Sequence, residues 1–207
     1  MKNTIDIEEP RVATWLFNST NAAILWLVVR VYLGYEWLHA GWEKITGTQG
    51  DTWVWHLGYT KDSWLRSGAG LQGFIKYGAL PQAGKGPFSA VNYGWYASFL
   101  RWLAHPTPAA FFGKAIALGE TAIGIALIVG VLTGVAAFMA GTLTMSFGLA
   151  GVAGVNPLFF LLEVGLILAW RNAGYYGLDR YVLPAVGTPW QRGTIFQHRE
   201  VTVHRTV

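Results

Sequence analysis

RVYLGYEWLHAGWEK, residues 30–44, closes a long apolar run that begins near Ala22 and puts ionisable side chains where a membrane-spanning helix ordinarily has none. At 3.6 residues per turn, Arg30, Gly34, Trp37, Gly41 and Lys44 share one helix face, and Glu36, His39 and Glu43 lie on the neighbouring one. Two glycines between two cations allow another helix to approach closely. A guanidinium or carboxylate in hydrocarbon costs at least a few kcal/mol on insertion scales, so such groups turn inward and find partners. The fold therefore depends on what meets Arg30.

Composition agrees with a membrane chain. Of 207 residues, 53% are hydrophobic and 13% charged, with 11 Trp and 26 Gly, a profile that suits hydrocarbon spans and aromatic interfaces. Cysteine is absent, which excludes thiolate nucleophiles, CxxC redox pairs, cysteine-ligated iron–sulfur clusters and disulfides. The net charge of +4 comes without a Lys/Arg cluster interleaved with aromatics, so nucleic acid is not an expected partner.

Four apolar runs predict four spans, at about 22–42, 108–131, 133–152 and 157–174, in an all-α transmembrane bundle forming one domain over residues 1–207. Asn156 and Pro157 read as the N-cap and first position of the last span. The turn GVLTG, residues 130–134, makes the second and third spans antiparallel neighbours. Residues 43–107, rich in Trp, Tyr and Gly, read as an extracytoplasmic cap with helical pieces near 63–77 and 93–104 and a loop at 81–87.

The acid-bearing segment 1–18 lacks the basic start and small-residue cleavage site of a secretory signal. It is expected to stay cytoplasmic. Arg171, Arg180, Arg192, Arg199 and Arg205 cluster after the last span, which places the tail of about 175–207 on the cytoplasmic side as well.

Depth matching then brings Arg30 level with Glu120 and Glu163, with Glu36 a turn or two farther out, and predicts an Arg30 pair or network with Glu120 or Glu163. Gly113, Ala117, Glu120 and Gly124 share a face, so Glu120 should point at a neighbouring helix. Lys44 and Lys114 are predicted at the outer mouth, with His39 about a turn below. The same lysines fit interfacial snorkelling, the buried charges fit a structural lock, and His39 fits an interfacial hydrogen-bonding role. His56 and His105 have no Asp, Glu or His at ligand spacing, and no metal site is expected.

The 30–44 stretch, GKAIALGETAIGIALIVGVLTG at 113–134, AGVAGVNP at 150–157 and GYYGLDRY at 174–181, taken in that order, resemble the DoxX/DoxD family of small four-helix membrane proteins over nearly the whole chain. The resemblance implies a subunit of thiosulfate:quinone oxidoreductase, which couples thiosulfate oxidation to quinone reduction beside a small DoxA subunit. On that reading Arg30, Lys44 and Lys114 hold the sulfur oxyanion. Glu36, His39, Glu120 and Glu163 donate protons to a quinone that serves as electron acceptor, with no covalently bound cofactor. The alternative is a non-catalytic accessory subunit at the edge of a larger respiratory or photosynthetic complex. Its partners would be lipid and other membrane or small soluble subunits.

Overall fold

Apolar helical periodicity broken by Pro and Gly gives a helical chain, and the computed structural model, which describes residues 9–48, 58–80, 91 and 93–186, consists of helices joined by turns and bends with no strand among the described residues. The order is α1 (Arg11–Asn18), a 3₁₀ turn (Thr20–Ala22), α2 (Ala23–Thr46), α3 (Ala69–Gly73), a π-helical continuation (Phe74–Ala79), α4 (Gly94–Leu103), α5 (Pro106–Val129), α6 (Thr133–Leu149), α7 (Asn156–Leu168) and α8 (Asp179–Val186). The expected loop at 81–87, His56 and the arginines at 192, 199 and 205 lie outside the described residues.

Helix α5 is long and apolar enough to cross a membrane, and α1 joined to α2 passes the same test as a single span bent by 65°. Helices α6 and α7 are apolar but shorter, at 17 and 13 residues.

Helix α2 packs antiparallel on α5, and α6 on α7. Glycine permits the first contact. A Cβ on Gly41 would stand 2.5 Å from the backbone nitrogen of Thr121, and one on Gly34 would stand 2.9 Å from that of Ile128. From the other side, a Cβ on Gly124 would run into the backbone of Leu38. Such close approach of two backbones supplies a dense set of dispersion contacts between the helices. Gly124→Ala is therefore expected to lower stability by roughly 1–3 kcal/mol through overpacking. Gly119→Ala, whose Cβ meets nothing within 4 Å, should be neutral. SDS titration of detergent-solubilised protein, followed by far-UV circular dichroism, reads both.

The segment after α7 fixes one end of the α5–α6 hairpin. Gly130 ends α5 at φ 72°, and Leu132 follows at φ 49°, a left-handed backbone that costs energy in a residue with a Cβ. The buried Asp179 carboxylate repays that cost by accepting the N–H groups of Leu132 (2.6 Å) and Thr133 (2.8 Å), which caps α6 from a distant part of the chain. The Asp179 N–H in turn donates to Gly130 O at 2.7 Å. The GLDR run, residues 177–180, is thus the clasp of the hairpin.

At the opposite end the cap folds onto α2 and α5. The Trp64 N–H donates to Lys44 O at 2.9 Å, Gln72 Nε2 donates to Ala104 O at 2.8 Å, and the Tyr96 hydroxyl donates to Ser146 O at 2.7 Å. Burial pushes the Tyr96 phenol above its ordinary pKa. Segment 11–18 is a helix where a polar tail was expected. Its apolar residues Leu16 and Phe17 pack on the bundle, and Leu16 O accepts the Trp26 indole N–H at 2.7 Å.

Candidate functional site

The antiparallel register of α2 on α5 decides which charges meet. Because Gly34 lies beside Gly124 and Ile128, and Gly41 beside Ala117 and Thr121, Arg30 falls level with Gly130 and Lys44 reaches Glu120. The expected pairing of Arg30 with Glu120 or Glu163 is not formed. Arg30 Nη2 donates to Tyr176 O at 3.0 Å, and the guanidinium, 1% exposed, packs against Gly130 and Gly177 and feels the charge of Asp179. It belongs to the clasp. Along α2 it stands about 21 Å from Lys44 at 1.5 Å per residue, so the two cannot share a small ligand.

Lys44 turns inward, toward α5. Its ammonium meets Glu120 Oε2 at 2.6 Å and Ala40 O at 3.3 Å, and it lies 5.6 Å from the Trp64 ring centre and 5.8 Å from that of Phe147. Charge-assisted bonding and two ring faces thus hold one cation in a site the sequence places at an interface. Glu120 is fully buried, and its second oxygen, Oε1, has no hydrogen-bond partner.

This pair faces a cavity of about 320 Å³, walled by Trp37, Trp64, Phe74, Phe147 and Phe159, with Glu36 and Glu43 adding two further carboxylates. A volume near the lower end of ligand pockets, apolar walls and a few convergent polar groups make it the candidate site. No protein-family model, curated protein or solved structure matches the chain. The resemblance to the DoxX/DoxD family therefore rests on the four motifs and their order.

Of the residues singled out from sequence, Glu36, Lys44 and Glu120 come together on the cavity. Glu163 lies behind Trp37, whose indole Nε1 donates to Glu163 Oε1 at 3.0 Å, and Thr144 Oγ1 donates to the same oxygen at 3.0 Å. His39 stacks on Tyr35 with ring centres 6.0 Å apart, and its Nδ1 is 3.9 Å from Glu43, one step removed from the cavity. Lys114 is exposed on α5 and does not line the cavity, so the expected trio of Arg30, Lys44 and Lys114 is not assembled in one place. Among the described residues, no group of three or more His, Asp or Glu is placed to hold a metal ion.

Sequence reading missed Trp37, Trp64, Thr144 and Phe147. For Trp37 a signal existed: an indole on the face that carries Arg30 and Gly41 must bury its N–H, and a buried indole N–H needs an acceptor. Thr144 and Phe147 gave none, since hydroxyl and aromatic residues are common along spans.

Proposed function

We propose that the chain is a four-span, DoxX/DoxD-like membrane subunit whose cavity takes the ring of a quinone, as part of a complex oxidising thiosulfate or another reduced sulfur compound. What carries the reading is the Lys44–Glu120 pair set into an aromatic-walled cavity inside the bundle. Support for four spans comes from the distribution of polarity. Arg30, Glu120, Thr144 and Glu163 are buried, whereas Val28, Phe111, Leu118, Phe138, Met139 and Leu161 are exposed on α2, α5, α6 and α7. A soluble monomer rarely exposes apolar surface on every long helix, and lipid would cover it. Both termini face the cytoplasm on this reading, and the cap faces outward.

The cavity suits a flat, neutral ring more than a dianion. Three carboxylates surround one ammonium that is already bonded, so a thiosulfate dianion entering here would meet net repulsion. The sulfur compound is therefore handled at a partner, such as a small DoxA-like subunit, and the cavity serves the acceptor. A bound quinone supplies a sink for two electrons and two protons. Around it Trp37, Trp64 and Phe147 orient the ring, while Lys44 and Glu120 hold exchangeable protons at hydrogen-bonding distance from each other and Glu36 stands on the same wall.

Gentle purification of the chain with whatever accompanies it, followed by thiosulfate-driven reduction of a soluble quinone analogue, tests this. Glu120→Gln is expected to lower that rate by about 10²–10⁴, the span that general acid–base catalysis supplies. A saturable quench of tryptophan fluorescence by the analogue should accompany binding. Full activity in the variant would remove the reading; large redox subunits in the preparation and no quench would favour the accessory role.

A further inference from the structure

Glu163 is fully buried on α7, yet its two oxygens live differently. Oε1 accepts both the Trp37 indole N–H and the Thr144 hydroxyl, whereas Oε2 is buried and has no hydrogen-bond partner. With both donors on Oε1, Oε2 is the oxygen left free to take up or release a proton. Trp37 stands between this group and the central cavity, and Glu163 does not line that cavity.

The way out of the site leads elsewhere. A Cβ on Gly141 would lie 3.7 Å from Glu163 Oε2, so the missing side chain leaves a gap beside the unpartnered oxygen. Gly141 lines a groove of about 370 Å³ between α6 and α7, floored by Phe138, Phe160 and Ile167. Thr144, the hydroxyl donor to Oε1, lines an adjoining hollow of about 290 Å³ on the same two helices. Glu163 itself lines neither hollow, so Gly141 on one side and Thr144 on the other are what stand between its carboxyl and the α6–α7 face.

We infer that Glu163 is a proton-exchange carboxyl served from the α6–α7 face, through the gap at Gly141, and separated from the central cavity by Trp37. The Oε2 proton leaves to a hydroxyl-bearing molecule that partitions from the bilayer into the groove and returns by the same route, with Thr144 and Trp37 steadying the carboxyl as its charge changes. The inference rests on the membrane reading of the bundle and on nothing in the redox assignment.

An apolar carbodiimide tests it without reference to turnover. The acid adds across one C=N bond: the proton passes to nitrogen, the carboxyl oxygen bonds to carbon, and the adduct rearranges to a stable N-acylurea without any oxidation or reduction. The full chain, reconstituted in phosphatidylcholine vesicles, is treated with dicyclohexylcarbodiimide, and the modified peptides are identified by mass spectrometry. Glu163 should label, and Gly141→Leu should slow that labelling by about tenfold, the factor that roughly 1.36 kcal/mol of added barrier gives. Labelling of Glu36, on the central cavity, should not change. Gly141→Ala, whose Cβ sits at ordinary contact distance, keeps the fold intact and should slow the reaction by a smaller factor in the same direction. Vesicle-bound chain with Glu163 unmodified, or labelled equally fast in all three proteins, would overturn the inference alone. Chain left outside the vesicles would overturn the membrane reading with it.

Discussion

Lys44→Met should be among the most destabilising single substitutions in this protein, and adding Glu120→Gln should restore much of what it removes. Glu120 is fully buried and its one strong partner is the Lys44 ammonium at 2.6 Å. Taking that ammonium away leaves a carboxylate in an apolar interior with no counter-charge, at a cost of roughly 3–5 kcal/mol for a broken buried pair. Methionine keeps the aliphatic stem that packs between Trp64 and Phe147, so lost packing contributes little. Glu120→Gln alone leaves the ammonium without its anion, but Lys44 reaches Ala40 O and two ring faces and is partly exposed, so the loss should be smaller. In the double variant neither charge remains, and replacing a buried pair by neutral groups of similar size is often close to neutral. A double-mutant cycle by SDS titration should therefore give a coupling of at least about 2 kcal/mol, well above the roughly 0.5 kcal/mol within which independent sites add. Additive losses would mean that the pair does not hold α2 to α5.

The same pair shows where a sequence runs out. The helices were legible because their causes are local: apolar runs bounded by Pro157 and Gly130, and a face of Gly113, Ala117, Glu120 and Gly124 that is buried together on α5. That Glu120 turns inward followed from helical spacing alone. Its partner did not, because matching charges by depth needs the start and end of each helix to within a turn. Helix α2 continues to Thr46 and α5 begins at Pro106, which slides Lys44 opposite Glu120 and carries Arg30 to the far end, beside Gly130. Arg30 then meets a carbonyl contributed 146 residues later, a partner with no signature in its side chain. Asp179 was opaque for the same reason. Its role appears only when the chain after α7 folds back on the α5–α6 turn, and a backbone N–H awaiting a cap leaves no mark in the sequence. Segment 11–18, by contrast, carried a readable signal in the spacing of Val12, Trp15 and Leu16 that its flanking acids obscured.

Asp179→Ala should unfold the clasp and cost about as much as breaking the Lys44 pair. The substitution removes the acceptor of two backbone N–H groups, at Leu132 and Thr133, where hydrogen bonds to a charged group contribute roughly 1.5–3 kcal/mol each. It also takes away the anion whose field offsets the buried Arg30 guanidinium, two of whose nitrogens, Nε and Nη1, have no hydrogen-bond partner. A total near 4 kcal/mol or more is expected, since an uncompensated buried charge alone carries about 3–5 kcal/mol. Leu132 sits at φ 49°, and in the variant the cost of that left-handed turn is no longer offset by a cap. Leu132→Gly should therefore recover about 1 kcal/mol in the Asp179→Ala background, the order of the left-handed penalty in a residue with a Cβ. Arg30→Met should recover more, by removing the stranded cation. Unfolding midpoints of the three proteins in one detergent decide the matter. If Arg30→Met added to the damage of Asp179→Ala, the guanidinium would owe its place to Tyr176 O and the packing around Gly177, and the aspartate would act on the α6 N-terminus alone.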